Sequence, residues 1–235
     1  MTTARGWLLD LDQGPVSYEE IWALQREVLR ARQSGLIPDV LILLEHRPVV
    51  TLGRTADRGH VLLPREALAA RGIDLFEVER GGSVTYHGPG QLVGYPIVDL
   101  RAVGEDVGRF VRTLEATVIE TLAAFEITAA RRQGFPGVWV DEAKICALGV
   151  AIRRRVTMHG LALNVTTNLD GFDVINPCGL GRPVTSMAAV LGRPVDMAAV
   201  RRVYTERFAS LFGIGLERRA LDEVRFALSQ ALARA

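Results

Sequence analysis

Lysine is almost absent from this chain. It carries 28 basic residues, and every one except Lys144 is an arginine. Where only positive charge matters, arginine can stand in for lysine; where a proton must be released it cannot, because guanidinium stays charged. A lone lysine is therefore a candidate for chemistry. A surplus of charge is also missing. The basic residues face 27 acidic ones for a formal net charge of +1, which leaves no broad electrostatic footprint for nucleic acid. Cysteine occurs twice, as Cys146 and Cys178, too few for a disulfide framework. There is no CxxC and no HExxH, and the four histidines are scattered, so no metal site is expected. Long apolar runs are lacking. The longest strongly apolar stretch, Val40–Leu44, falls far short of the ~20 residues a membrane helix needs. The segment MTTARGWLLDLDQG has no apolar core of a signal peptide. These gaps lead us to expect a soluble, cytoplasmic protein with free thiols.

The composition that remains is that of a packed globule. With 235 residues, 49% hydrophobic and 23% charged, the chain suits one large domain, here read as 1–235 with a peripheral C-terminal helix over about 217–235. Ser17–Glu20 reads as a capping box, followed by Ile21, Leu24, Val28 and Leu29 at helical spacing. Gly35 reads as that helix's stop. Val40–Leu44 and Val49–Leu52 read as buried strands, Pro64 to Gly72 as a short helix, Leu75–Val78 and Gln91–Val98 as further strands. Phe110, Leu114, Val118 and Leu122 mark a second long helix. Val138–Val140, Ile145–Ile152 and Val156–Val165 read as consecutive strands joined by tight turns at Asp141–Ala143 and Arg153–Arg155. Helices are expected over Met197–Leu211 and Leu221–Leu232. The fold class is α+β: a mixed, largely antiparallel sheet flanked by helices.

Three segments carry possible chemistry. In Arg80-Gly81-Gly82-Ser83-Val84-Thr85-Tyr86-His87-Gly88-Pro89-Gly90-Gln91, four glycines in twelve residues weaken a strand. That cost is tolerated where backbone must approach a ligand closely; the alternative is a glycine-rich hairpin with no ligand. It is not a dinucleotide fingerprint, because Gly88-Pro89-Gly90 lacks the third glycine and Pro89 lacks an N–H. No Walker A motif occurs either. In the second segment, Lys144 opens an apolar strand, where lost solvation would lower its pKa; alternatively it snorkels to solvent beside Asp141 and Glu142. In the third, Asn176-Pro177-Cys178-Gly179, a loop cysteine beside glycine offers an accessible sulfur and uncovered backbone, or is an incidental thiol. Cys146, alternating with Ile145 and Ala147, reads as packing. His87 and His159 could polarise a bound group or orient Cys178, or be structural. His46 and His60 read as surface connections without chemistry.

Taken together, Arg80–Ile97 (RGGSVTYHGPGQLVGYPI), Gly137–Gly149 (GVWV…KICALG), His159–Val165 (HGLALNV) and Asn176–Gly179 (NPCG) resemble the octanoyltransferase family of lipoate biosynthesis, in its order and spacing, over about Trp7 to Leu211. The resemblance implies a catalytic domain like that of biotin and lipoate protein ligases. It implies Cys178 as an acyl-thioester nucleophile and Lys144 as the residue that lowers its pKa. It implies substrate contacts at Arg80, Gly81, Gly82, Ser83, Val84, Thr85, Tyr86 and His87, at Ala147, Leu148 and Gly149, and at Gly160, Leu161 and Ala162, with His159 in support. Ala147 departs from many relatives, which carry a serine there. The implied reaction moves octanoate from acyl carrier protein to a lysine of lipoyl domains or of the glycine-cleavage H protein. It needs no cofactor beyond the phosphopantetheine arm of the donor, and no metal, nucleic acid or membrane. Two other readings are an ATP-dependent lipoate–protein ligase of the same fold and a non-catalytic module that binds lipoyl domains. The NPCG loop argues against the first, and the pairing of Lys144 with Cys178 against the second.

Overall fold

The computed structural model describes residues 4–176 and 183–232. The expected nucleophile Cys178 lies outside the described residues.

The architecture follows from one strand that is apolar on both sides. In β2 (Asp39–Leu44) every residue is buried. Leu41 and Leu43 face one core, while Val40, Ile42 and Leu44 face another, the period-two alternation of a strand covered on both faces. The first core is closed by α3 (Val107–Ala123) and α5 (Met197–Phe212), through Phe110, Leu114, Val118, Leu122, Val200, Tyr204, Phe208 and Phe212. The second is closed by α1 (Tyr18–Gln33), through Ile21, Leu24, Val28 and Leu29. The C-terminal α6 (Leu221–Leu232) adds Val224, Leu228 and Ala231 to this second core. Helical spacing of apolar residues thus marked the faces that pack. Each buried leucine or phenylalanine contributes about 2–3 kcal/mol by leaving water.

Around β2 runs an eight-stranded sheet in the order β11-β1-β2-β6-β10-β9-β8-β7. Its strands are β1 (Ala4–Asp10), β6 (Gln91–Ile97), β7 (Ala130–Arg132), β8 (Phe135–Val140), β9 (Ala143–Arg153), β10 (Val156–Asn164) and β11 (Ile214–Arg218). β1 pairs parallel with β2 and β11, and the other pairings are antiparallel. The sheet is therefore mixed and largely antiparallel, as expected. A second sheet, β4-β3-β5, comprises β3 (Val49–Leu52), β4 (Asp74–Glu77) and β5 (Val84–His87). Its Val50, Val84 and Tyr86 pack with Leu68 of α2 (Arg65–Ala70) and with Val174 and Ile175. The short α4 (Met187–Leu191) completes the helices described.

Several local readings change. The Ser17 side chain makes no capping hydrogen bond, so the capping box is not formed; Glu19 and Glu20 in the first turn still suit the helix dipole. Helix α1 ends before Gly35, whose φ of +70° suits glycine. The β9–β10 turn is centred on Arg154 and Arg155, both left-handed at φ +47° and +70°, the two-residue geometry that matches strand twist. Strands β1, β5, β7 and β11 were not anticipated.

Candidate active site

The two sheets meet along β9, and the glycine-rich segment forms the seam. Gly81 N–H donates to Val150 O at 2.9 Å. A Cβ on Gly149 would sit 2.9 Å from the Gly81 carbonyl oxygen, so this crossing requires glycine. The glycines therefore serve close backbone-to-backbone packing, and that packing builds a cavity wall. Arg80 is buried and fixes the seam. It donates through Nε and Nη2 to Thr51 Oγ1, through Nη2 to Thr51 O at 2.6 Å, and through Nη1 to Gly81 O at 3.0 Å.

The seam encloses a cavity of about 560 Å³, within the range of small-molecule sites. All the expected substrate contacts line it except one. Arg80, Gly81, Gly82, Ser83, Val84, Thr85 and His87 form one side; Ala147, Leu148, Gly149, His159, Gly160, Leu161 and Ala162 form another, with Lys144. Tyr86 is the exception. Its ring packs into the small-sheet core and meets Phe172 edge-on at 5.4 Å, so it supports the wall from behind.

Lys144 is held in place by backbone on both sides. Its N–H donates to Pro183 O at 2.9 Å and its carbonyl accepts from Thr185 N–H at 3.0 Å. Its ammonium lies 4.8 Å from the centroid of the Trp139 ring, a favourable site for a cation. Glu142, one of the acids expected to draw it to solvent, pairs with Arg132 at 2.6 Å. Among the described residues, no carboxylate lies within ion-pair distance of the Lys144 ammonium. On the other flank of the segment that contains Cys178, Asn176 N–H donates to His60 O at 2.7 Å. Cys146 is fully buried in the core, and burial pushes its thiol far up, as suits a packing residue.

Of the two histidines read as surface connections, His60 lines the cavity and His46 is buried behind it, against Tyr95 and His87. His60 sits on a short 3-10 turn, but its ring reaches the cavity and its Nδ1 meets Ser83 Oγ at 3.1 Å. His46 is fully buried. Its Nδ1 faces Val16 O at 3.3 Å and its Nε2 lies 2.8 Å from Tyr95 Oη. A carbonyl only accepts, so Nδ1 carries the proton and Tyr95, which lines the cavity, donates to Nε2. Burial lowers the His46 pKa to about 4 and the His87 pKa to about 3. Tyr18 also lines the cavity and stacks on Phe76 and His87; burial raises its pKa.

His159 is strained. It lies within β10 at φ +57°, a region that non-glycine residues seldom adopt. Its N–H leaves the sheet ladder and donates to Gln25 Oε1 of α1 at 2.8 Å. Opposite it, Pro96 of β6 has no N–H to offer, and Thr157 Oγ1 donates to the Pro96 carbonyl instead. The His159 Nε2 stands 3.7 Å from Glu79, longer than a hydrogen bond. Burial lowers the His159 pKa. The facing imidazole holds the Glu79 carboxyl below the usual range, helped by the Trp22 indole N–H. No group of three or more His, Cys, Asp or Glu is placed to hold a metal among the described residues.

A seam of glycines beside a cavity, a lone lysine near the start of a strand and a large mixed sheet define a class. Residues 17–209 match the lipoyl protein ligase A/B catalytic domain, and the chain belongs to that family. Among its curated relatives, the octanoyltransferase of Chloroflexus aggregans is 51% identical over 80% of this chain and 86% of its own length. The octanoyltransferase of Gloeobacter violaceus is 47% identical over 92% of this chain and 96% of its own. The fold is also that of the bi-partite lipoate protein ligase from Thermoplasma acidophilum, with a TM-score of 0.74 at 20% identity over 99% of this chain and 92% of that one.

Proposed function

We propose that this chain transfers an octanoyl group from acyl carrier protein to a lysine of a lipoyl domain, through a thioester on Cys178. Octanoyl transfer is the activity of its curated relatives at 42–51% identity, and the chain is an acyltransferase of that kind. The observation that best supports the covalent route is the backbone of Lys144. The only lysine in the chain is paired through Pro183 and Thr185 to one flank of the segment that carries Cys178, and it opens onto the cavity.

In this reading the Cys178 thiol loses its proton to Lys144 and the thiolate attacks the thioester carbonyl. The C–S bond to the phosphopantetheine arm breaks, and that sulfur leaves with a proton. The target amine, as the free base, then attacks the Cys178 thioester, its nitrogen gives a proton to Lys144, the C–S bond breaks, and an amide forms as the cysteine thiolate departs and is reprotonated. One thioester replaces another in the first step, and the amide lies downhill in the second, so no nucleotide is consumed. A free thiol near pKa ~8.5 is mostly protonated at neutral pH, which is why a nearby amine that takes the proton and becomes a cation beside the thiolate matters. The octanoyl chain would lie against Leu148, Leu161 and Ala162. Its carbonyl oxygen would be served by backbone N–H groups, which supply fixed dipoles where charge develops. Lipoyl domains and the glycine-cleavage H protein are the expected acceptors, and the cytoplasm the expected location. No described helix is long and apolar enough to cross a membrane.

Transfer from octanoyl carrier protein to a lipoyl domain, assayed with and without ATP, separates this reading from an adenylating ligase. The expected result is full activity without ATP. Strict dependence on ATP would contradict it, and binding without transfer would favour a non-catalytic module.

A further inference from the structure

A buried chain of amides connects the cavity to the segment beside Lys144, and its direction is fixed at one end. Asn164 Nδ2 lies 2.9 Å from the Thr185 carbonyl oxygen. A carbonyl cannot donate, so the Asn164 amide must turn its NH2 that way. Its Oδ1 then faces Gln91 Nε2 at 2.9 Å. The same Nε2 lies 3.3 Å from the Tyr86 carbonyl oxygen, so a second pure acceptor sets the Gln91 amide in the same sense. That turns Gln91 Oε1 toward His87 Nδ1 at 2.7 Å, and the proton on this contact must come from the histidine. His87, Gln91 and Asn164 are 6%, 1% and 4% exposed, so water does not compete for these contacts.

We propose that Gln91 and Asn164 are positioning residues that lock His87 as its neutral Nδ1–H tautomer, leaving Nε2 as a standing acceptor for a substrate N–H in the cavity. The His87 ring lines the cavity, and Nε2 has no hydrogen-bond partner among the described residues. An octanoyl chain has no donor to offer it. The reacting partners do: the amide N–H groups of the pantetheine arm and the ε-amine of the target lysine. The neighbours keep the ring neutral. Burial is the main cause, and His46, Arg80 and His159 all disfavour a second proton. Asn164 also ties this acceptor to Thr185, whose N–H bonds to the Lys144 carbonyl. One hydrogen-bonded chain thereby sets both His87 and the flank of the Cys178 segment.

This inference rests on the acyl-transfer reading for the identity of the N–H, but the tautomer does not. Nitrogen NMR of histidine side chains in the wild-type protein reads the tautomer directly, with His87→Gln assigning the signal. The proton is expected on Nδ1 throughout the working pH range, and a proton on Nε2 would overturn the proposal. Gln91→Glu tests the acceptor. A carboxylate at this position raises the His87 pKa, so Nε2 becomes protonated at low pH and ceases to accept. The expected result is an acid loss beyond that of the wild type: the ratio of variant to wild-type rate falls about tenfold per pH unit below the raised His87 pKa. A purely structural role predicts a lower rate whose ratio to the wild type does not change with pH, and that result would also overturn the proposal. Single-turnover measurements locate the donor. The acid loss appears in Cys178 acylation if the pantetheine amide is held, and in discharge to the acceptor if the amine is held. Absence of any acyl-enzyme would remove the thioester route and leave the tautomer result standing.

Discussion

Lys144 is the residue on which the chemistry turns, and the difference between two cations tests it. If it only supplied charge, arginine could partly replace it; if it must accept and return a proton, arginine fails. Lys144→Arg is expected to lose at least roughly a hundredfold in transfer rate, and Lys144→Ala as much or more. Because the larger guanidinium could fail sterically beside Trp139, the alkylation rate of Cys178 against pH is the deciding readout. The thiol pKa should be depressed in the wild type and rise in Lys144→Ala; a thiol that titrates normally with Lys144 present would refute the dyad. The buried histidines make a second prediction. His46 takes up its proton at about pH 4 in the folded state against 6.5 ordinarily, so the unfolded chain binds more protons between those values. Its stabilising contribution is fully present above pH 6.5 and is lost as pH falls toward 4, on the order of 3 kcal/mol in all. His87 acts in the same sense. Glu79, whose pKa is depressed, contributes above its unfolded pKa of 4.5 and is lost only as pH falls below it. Urea midpoints should therefore decline from pH 6.5 to pH 4.5, and His46→Gln should flatten that decline. An unchanged slope would show that His46 is not the group responsible. None of this was legible at His46 itself. Between Glu45, Arg47 and Pro48 it reads as a turn, and it is pairing with Val16 and contact with Tyr18, His87 and Tyr95, all distant in sequence, that bury it.

Among the elements, the β9–β10 hairpin forms one side of the cavity, and its turn is strained. Arg154 and Arg155 both hold left-handed φ values, where non-glycine residues pay roughly 1–2 kcal/mol each. Arg154→Asn with Arg155→Gly should raise the melting temperature, by a stabilisation of about 1–2 kcal/mol; a lower melting temperature would mean that arginine contacts outweigh the strain. This hairpin was readable in advance because both strands are long and apolar and the turn falls between them. Strand β11 was not, since only Ile214 of its five residues is buried. Strand β5 was obscured by its flanking glycines, whose role is set by distant strands: Gly149 meets Gly81 only after the sheets assemble. His60 was misread for a similar reason. Its 3-10 turn has no buried residue, and nothing local signals that the ring reaches Ser83.

For the whole molecule, the placement of charge matters more than its sum. Arginines cluster at Arg131–Arg132, on β7, and at Arg153–Arg155, where β9 turns into β10. Arg131 and Arg132, near Lys144, are engaged with Glu115 and Glu142. Arg153 and Arg154 instead line a surface cleft with Arg26 and Arg30, opposed there by Glu79. Charge reversal at Arg153 or Arg154 should slow acylation more at low salt than at high salt if this cleft guides the donor; an unchanged salt profile would exclude it from docking. The segments resembling octanoyltransferases were legible because sites of this kind fix residue type at each position, whereas the strands that carry them needed only approximate apolarity. The central claim is the thioester on Cys178, and intact mass tests it most directly. After incubation with octanoyl carrier protein and no ATP, the wild type should gain one octanoyl group, mapped to Cys178 and released by hydroxylamine. Cys178→Ala should gain none, while Cys146→Ala should still gain it. Continued transfer by folded Cys178→Ala, or an adduct that resists hydroxylamine, would contradict the account.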